Sequence, residues 1–216
     1  MLETMENFFA ARLQGYDEHM KTEIEGAKEF YCYTASLLPR QQGARILDLG
    51  CGTGLELEEI FLLNHGAAIT GIDLSADMLQ ELRRKFADKE LTLIHGSYFD
   101  EPLGVEKYHA AVSVESLHHF PAVQKEALYC RLRAALMENG YFVLTDYFAE
   151  SEALELEYFD NLKKLKQEQG LADDEFYHYD TPLTVDHERE VLLQAGFSDV
   201  CIMKKWGATY TLLAKR

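Results

Sequence analysis

The pattern of apolar and polar positions divides the central part of the chain into short buried segments and longer amphipathic ones. The apolar runs have the length of buried strands and read ARILDLG, AAITGID, LTLIHG, YHAAVSV and YFVLTDYF. Between them, apolar residues recur at helical spacing, as Met78, Leu79 and Leu82 do behind the capping residue Ser75. This alternation is typical of a parallel sheet whose strands are connected by helices.

Turn residues set the predicted ends of the helices between these strands. We expect the helix after the first strand to end at Gly66. The helix that begins at Pro121 is predicted to end at Leu136, because Glu-Asn-Gly follows. A later helix is predicted to begin at Thr184 or Asp186.

The two ends of the chain lie outside the repeating pattern. Residues 3–38 are predicted to form one or two helices, with a break at Pro39. Residues 197–216 predict two strands joined by a tight turn at Trp206–Gly207, which would form an antiparallel hairpin at the edge of the sheet.

The length of 216 residues suits a single domain, at roughly 100–200 residues per domain. We divide it into an N-terminal helical cap (1–38), a ligand-binding core (39–149), a lid insertion (150–182) and a C-terminal helix with a hairpin (183–216). Insertions after strand ends lie above the carboxyl edge of an open parallel sheet, where ligands bind. We therefore expect the cap and the lid to cover a ligand.

The charge of the chain is strongly acidic and unevenly distributed. The chain has 37 Asp and Glu against 21 Lys and Arg, a formal net charge of −16. Residues 150–190 hold thirteen acids and four bases, which gives −9 in this segment. Because a protein that neutralises phosphates needs a basic surface, nucleic acid is a disfavoured partner. The scattered cysteines and the absence of a signal-peptide pattern or membrane span predict a cytoplasmic protein.

The most informative motif is the segment Asp48–Gly54, which follows the first strand directly. A dinucleotide site would have a glycine where Leu55 stands, and no phosphate-binding Gly-Lys-Ser/Thr sequence is present. Asp73 ends the second strand, where a carboxylate can accept two hydrogen bonds from a ribose diol. The acid at Asp48 favours a ligand with cationic groups, so the motifs together indicate a cationic nucleoside without phosphate, namely S-adenosylmethionine.

ILDLGCGTG and GIDLS resemble motifs I and II of the class I S-adenosylmethionine-dependent methyltransferases. The resemblance implies an α/β, Rossmann-like three-layer sandwich with seven mostly parallel strands in the order 3-2-1-4-5-7-6 and an antiparallel last strand. It also implies cofactor contacts, including two from the N-terminal segment GYDEHM. The implied contacts are Tyr16, Met20, Asp48, Gly50, Cys51, Gly52, Asp73, Leu74, Met78, Ser97, Tyr98, Val114 and Glu115.

Four residues near the ends of the fourth and fifth strands are candidate catalytic groups, namely Glu115, His118, His119 and Asp146. Glu115 has three open interpretations: a base, a group that stabilises the sulfonium charge, or an acid at a helix entry. The histidines favour a pocket-lining or structural role over catalysis. No metal site is predicted, because adjacent side chains are expected to diverge and no third ligand lies at helical spacing.

These observations predict methyl transfer from S-adenosylmethionine to a small, neutral or cationic acceptor by in-line displacement. A carboxy-S-adenosylmethionine synthase-like enzyme and a non-catalytic S-adenosylmethionine-binding protein are the alternatives. The aromatic residues at 175–180 could form a cage for a cationic acceptor. We favour a simpler interpretation, in which the lid packs them on the core.

Overall fold

Seven strands form one mixed sheet in the computed structural model of the protein, which describes residues 1–172 and 175–216. The strand order is β3-β2-β1-β4-β5-β7-β6. The strands are β1 (Arg45–Leu49), β2 (Ala68–Asp73), β3 (Leu91–His95), β4 (Tyr108–Val114), β5 (Leu136–Tyr147), β6 (Asp199–Trp206) and β7 (Thr209–Lys215). Neighbours among β1 to β5 pair in parallel, whereas β7 pairs antiparallel with both β5 and β6. The predicted topology is therefore confirmed.

Helices cover both faces of this sheet. They are α1 (Met5–Arg12), α2 (Tyr16–Glu23), α3 (Ala27–Ser36), α4 (Leu55–Leu63), α5 (Ala76–Lys85), α6 (Ala122–Ala135), α7 (Glu152–Gln169) and α8 (Val185–Gln194). No helix within the described ranges combines the length and the apolar character that crossing a bilayer requires.

Two apolar clusters fill the layers between the sheet and the helices. Successive residues of a strand belong to different clusters, because side chains alternate between the faces. Ile46 packs in the cluster that contains residues of α3, α4 and α5, and Leu47 packs in the cluster that contains residues of α6 and α8. Strands β1 and β4 are buried on both sides, which is why they form nearly continuous apolar runs in the sequence.

The N-terminal segment forms three short helices, so the expectation of one or two was wrong. Gly15 and Gly26 precede α2 and α3 with φ angles of 87° and 76°, a left-handed conformation that suits glycine and interrupts the helix. At Gly26 a Cβ atom would also lie 2.7 Å from the Cβ of Trp206. The breaks therefore serve local conformation and close packing against the hairpin.

The boundary between α6 and β5 also differs from the prediction. The Glu-Asn-Gly segment lies inside β5, which begins at Leu136, and Asn139 adopts a φ of 63°. Leu136 pairs with Tyr108, after which the register shifts and Tyr141 pairs with Ala110. Parallel pairing with β4 thus takes precedence over the local turn signal, and the turn-forming residues occupy a strand irregularity.

Smaller differences occur at two other ends. Helix α4 ends at Leu63 rather than Gly66, with Asn64 as its C-terminal cap. The hairpin turn lies at Gly207–Ala208, one residue beyond the predicted position, because Trp206 still pairs with Thr209. Thr184 caps the start of α8, which confirms the first of the two predicted starts, Thr184 or Asp186.

The lid consists of α7 and the extended segment that follows it. Ser151 caps the start of α7, and Gly170 ends it with a left-handed φ of 64°. The predicted irregular segment includes residues 173 and 174, which lie outside the described residues. Beyond it, the backbone N–H of Met5 donates to the carbonyl of Phe176 at 2.9 Å, and that of His178 donates to the carbonyl of Glu3 at 2.9 Å. The lid and α1 therefore pair directly.

Candidate functional site

The glycine loop between β1 and α4 forms the floor of the site. Gly50 has a φ of 77°, and its N–H donates to the carbonyl of Ile72 at 2.9 Å, which holds the loop against β2. A Cβ atom at Gly50 would lie 2.1 Å from Ser116 Oγ. Any side chain at this position would therefore displace the loop after β4.

Asp73 at the end of β2 fixes the opposite side of the loop. Its Oδ2 accepts a hydrogen bond from Gly52 N at 2.8 Å, and its Oδ1 accepts one from Ser75 N at 2.8 Å. Burial raises the pKa of Asp73, and the two backbone N–H groups partly oppose that shift. Because each carboxylate oxygen has two lone pairs, both can still accept a hydroxyl hydrogen from a ligand.

A buried pair of acids, Asp48 and Glu56, lies beneath the loop. Both oxygens of Asp48 and one of Glu56 accept no hydrogen bond from the residues that the structure describes. Burial, and then the charge of Glu56, raises the pKa of Asp48 well above its usual range. Burial also raises the pKa of Glu56 to about 7. Neither acid lines a cavity, so a ligand above the loop would meet the glycine backbone and Asp73, with the two acids beneath them.

A first cavity, here the cofactor cavity, lies over the loop. Nine of the thirteen predicted cofactor contacts line it, namely Tyr16, Gly50, Gly52, Asp73, Leu74, Met78, Tyr98, Val114 and Glu115. Its volume of about 60 Å³ is small for a drug-sized ligand. Admitting a nucleoside therefore requires the covering side chains of α1 and α2 to move outward.

The other four predicted contacts do not line the cofactor cavity. Asp48 lies below the loop with only 1% of its surface exposed, and Cys51 points toward Gly71, where a Cβ atom would lie 2.6 Å from its Sγ. Ser97 instead caps a turn by accepting from Phe99 N at 3.1 Å. Met20 lines the neighbouring pocket.

That neighbouring pocket, here the acceptor pocket, has a volume of about 760 Å³. Helices α1 and α2 form one side of it, and the ends of β4, β5 and the lid form the other. The two cavities share four lining residues, namely Phe9, Tyr16, Glu115 and His119. A ligand in the acceptor pocket would consequently meet a ligand in the cofactor cavity at this shared wall.

Glu115 lies at that wall, directly after β4. Its backbone has a φ of 49°, which is uncommon for a residue with a side chain, and its Oε1 accepts from Thr209 Oγ1 at 3.1 Å. Burial and the charge of Asp146 raise the pKa of Glu115 to about 7. The unusual backbone conformation aims the carboxyl into the junction of the two cavities.

His118 and Asp146 form a buried pair on the acceptor side. His118 Nδ1 lies 2.6 Å from Asp146 Oδ1, while the other oxygen of Asp146 accepts from Leu117 N at 2.8 Å. Burial opposes the charged form of His118, but the charge and hydrogen bond of Asp146, helped by Asp180, raise its pKa to about 10. Burial likewise opposes charge on Asp146, yet His118 lowers the pKa of that carboxyl.

The expectation that the adjacent histidine side chains diverge was wrong. His118 Nε2 and His119 Nδ1 lie 3.5 Å and 3.2 Å from the same oxygen, Oδ1 of Asp180. The 3-10 turn Leu117–His119 brings the two rings to a centroid separation of 4.0 Å. Asp180 belongs to the lid, and its distance along the chain left no local spacing by which the sequence could link it to the histidines.

Further residues of the site come from segments without a recognisable motif. Phe9 of α1 lines both cavities, and Thr209 at the start of β7 binds Glu115. His178 of the lid stacks on Phe8, with ring centroids 3.4 Å apart and an interplanar angle of 6°. Burial, and then the charge of His119, lowers the pKa of His178 to about 4. The aromatic residues of the lid thus pack on α1 and the core, as favoured.

The strand order, the glycine loop and the acid that ends β2 define a Rossmann-like fold of the methyltransferase type. The sequence model of a protein family described as a methyltransferase domain matches residues 46–140 of the chain. Human N-acetylserotonin methyltransferase, solved in complex with S-adenosylmethionine, superposes with a TM-score of 0.69 at 16% identity, covering 98% of this chain and 56% of that one. The chain is similar to the class I S-adenosylmethionine-dependent methyltransferases, in the matched domain and in the fold.

Two curated relatives differ in how they match. The fatty-acid O-methyltransferase of Mycolicibacterium smegmatis is 30% identical over 105 residues, which cover 49% of this chain and 38% of the relative. The chain thus spans well under half the length of that relative. The carboxy-S-adenosyl-L-methionine synthase of Campylobacter fetus is 23% identical over 201 residues, covering 86% of this chain and 85% of the relative.

Proposed function

We propose that the protein binds S-adenosylmethionine in the cofactor cavity and transfers its methyl group to a small molecule in the acceptor pocket. The observation that supports this most directly is the shared wall of the two cavities, where Glu115 stands. A reaction between two ligands requires such a junction, since the reacting atoms must approach to about 3–3.5 Å.

Bound S-adenosylmethionine would supply an already activated methyl group on its sulfonium. The protein then has to position the acceptor in line and exclude water. In this proposal Asp73 accepts hydrogen bonds from the ribose hydroxyls, and the backbone from Gly50 to Gly52 contacts the methionine part. Phe9 and Tyr16 cover the junction from the side of the N-terminal helices.

A base is needed only when the acceptor loses a proton. Among the four candidates, Asp146 already accepts hydrogen bonds with both oxygens, so it acts by positioning His118. Glu115 and His119 line both cavities, and Glu115 has one oxygen that accepts from Thr209. We therefore assign the contact with the acceptor to the Glu115 side of the junction.

The acceptor is proposed to be neutral or cationic. Asp180 and Glu115 line the acceptor pocket, and the lid segment around it is rich in acids. Arg12 also lines this pocket, but its guanidinium donates to Glu3 at 3.0 Å and to the carbonyl of Phe8 at 3.1 Å. A polyanion would find few free positive groups here, so RNA is a disfavoured acceptor.

The test is incubation of the purified protein with S-adenosylmethionine and a panel containing phenols, fatty acids, amines and RNA. We expect S-adenosylhomocysteine to form with a small neutral or cationic member. Glu115→Gln should lower that rate about 100-fold or more if Glu115 takes the proton. The matched control is Glu126→Gln, at an exposed position on α6. Efficient methylation of RNA would contradict the proposed class of acceptor, and cofactor binding without turnover would favour a non-catalytic protein.

A carboxy-S-adenosylmethionine synthase-like activity is the second candidate, because the relative of that name matches over nearly the whole of both chains. A carboxylated sulfonium calls for a free cation in the acceptor pocket. Arg12 is already bound to Glu3 and stacks on Phe8 with its Cζ 3.7 Å from the ring centroid, which weighs against this role. Mass spectrometry of the ligand retained through purification would distinguish the two activities.

A further inference from the structure

Three donor atoms from distant parts of the chain meet in the acceptor pocket. They are Nε2 of His118 and Nδ1 of His119, which follow β4, and Oδ1 of Asp180, which belongs to the lid. Asp180 Oδ1 lies 3.5 Å from the first nitrogen and 3.2 Å from the second. All three residues line the acceptor pocket.

The two nitrogen-to-oxygen separations fit the ligand spacing of a four-coordinate metal ion, and all three donor atoms lie within 4.8 Å of one another. Nitrogen and carboxylate ligands lie about 2.0–2.1 Å from Zn²⁺ in tetrahedral sites, which puts two ligands about 3.3 Å apart. An octahedral ion with the same bond lengths needs ligands about 2.9 Å apart, which is closer than either observed distance. Two imidazoles and one carboxylate also favour zinc-like ions over Mg²⁺ or Ca²⁺.

Asp146 supplies the outer contact that such sites use. Histidine ligands usually give their second ring nitrogen to a carboxylate or carbonyl, which fixes the ring and leaves the other nitrogen for the metal. His118 Nδ1 lies 2.6 Å from Asp146 Oδ1, so His118 Nε2 is the nitrogen that faces the pocket. Asp146 is itself held by the backbone N–H groups of Leu117 and Tyr147, at 2.8 Å and 3.0 Å.

Two oxygen atoms lie within reach of the Nδ1 atom of His119. Its Nδ1 lies 3.2 Å from both Asp180 Oδ1 and the carbonyl oxygen of Tyr179, and neither oxygen can donate a hydrogen bond. The neutral imidazole satisfies them with a hydrogen on Nδ1, and a metal ion that took the place of this hydrogen would face the same two oxygens.

We propose that His118, His119 and Asp180 form a three-ligand site for a divalent transition-metal ion of the Zn²⁺ type. All three ligands line the acceptor pocket, and Asp180 is half-exposed there. The fourth coordination position of the ion would therefore face this pocket, where an oxygen or nitrogen of the acceptor could bind. Binding of the ion is independent of methyl transfer. Only the orientation of an acceptor by the ion rests on the proposed function.

The probe is Co²⁺ added to chelator-treated protein, followed by competition with Zn²⁺. One ion per chain with the intense visible bands of tetrahedral Co²⁺ is the expected result. Asp146→Asn keeps all three ligands and should weaken affinity about 10–100-fold, since it removes the outer contact. His119→Ala and Asp180→Asn remove ligands and should weaken it by more than about 100-fold. Asp186→Asn, whose side chain is 80% exposed on α8, is the matched control.

Absence of a stoichiometric tetrahedral Co²⁺ spectrum would overturn the site and leave a proton between the histidines and Asp180. Equal affinity in the ligand variants and in Asp186→Asn would overturn the choice of ligands. Thermal unfolding of each variant identifies any that fail to fold. If His119→Ala does not fold, Asp180→Asn still tests the choice of ligands, because Asp180 is half-exposed. Binding of S-adenosylhomocysteine to the metal-free protein is measured in parallel, so loss of the metal site would not be mistaken for failure of the proposed function.

Discussion

Replacement of Asp73 by alanine tests how the cofactor cavity recognises its ligand. In the free protein, Gly52 N and Ser75 N each donate to one carboxylate oxygen at 2.8 Å, which leaves one lone pair on each oxygen for a ribose hydroxyl. A hydrogen bond to a charged group contributes about 1.5–3 kcal/mol, so two such bonds set an upper bound of about 6 kcal/mol.

We expect a loss close to the value of one bond, because water can enter the space that the side chain leaves and replace part of the lost interaction. A loss of about 1.5–3 kcal/mol corresponds to roughly 10- to 150-fold weaker binding of S-adenosylhomocysteine. Isothermal titration calorimetry measures this affinity directly. The thermal unfolding midpoint of the ligand-free variant is measured separately. It reports the stability that is lost when the backbone N–H groups of Gly52 and Ser75 lose their acceptor.

Asp77→Ala is the matched control for this prediction. Asp77 lies in the first turn of α5, four residues beyond Asp73, and it is exposed. The substitution Asp77→Ala removes the same chemical group from the same region, at a residue that does not line the cofactor cavity. A role for Asp73 in ligand binding is refuted if Asp73→Ala binds S-adenosylhomocysteine within about twofold of the unmodified protein, or if Asp77→Ala loses as much affinity.

Two further predictions concern buried charge. The pKa of Glu56 is about 7 in the folded protein, against 4.5 for an ordinary glutamate. Between pH 4.5 and pH 7 the folded protein therefore keeps a proton on this carboxyl that the unfolded chain releases. The free energy of unfolding falls as the pH rises through this range. Glu56→Gln should therefore raise the unfolding midpoint more at about pH 8 than at about pH 5, and an equal change at both would contradict the assignment. Lys125 Nζ lies 2.6 Å from Glu188 Oε2 in the core, where Tyr129 also donates to Glu188. Lys125→Met should cost about 3–5 kcal/mol in denaturant unfolding, and Lys125→Met with Glu188→Gln should recover part of it, whereas a loss below about 1 kcal/mol would show the charge is not trapped.

The strand order was predicted from the family resemblance, and the floor of the cofactor cavity could be predicted because its signals are contiguous in the chain. The segment from Asp48 to Gly54 contains both the end of a strand and two glycines that line the cofactor cavity. Asp73 has the same advantage, since it ends the next strand of the sheet. Parallel strands place both segments at one edge, so local motifs are enough to locate this part of the site.

The acceptor side could not be predicted in the same way. Asp180 meets His118 and His119 only because the lid returns across the end of β4, and chain connectivity gives no sign of that contact. Likewise, the Glu-Asn-Gly turn signal at 138–140 is overridden by pairing between β4 and β5. Where tertiary contacts decide the structure, local propensity and spacing are insufficient.

The pairing between α1 and the lid sets a limit on how often the cavities are accessible. Hydrogen bonds from Leu2, Met5 and His178 cross this boundary, and the ring of His178 stacks on Phe8. At about 1 kcal/mol for each hydrogen bond and for the ring contact, separating the two segments costs about 4 kcal/mol. The open form is then present in about one molecule in a thousand. A ligand that enters between the lid and α1 binds only this form, so its measured affinity is about a thousandfold weaker than its affinity for the open form.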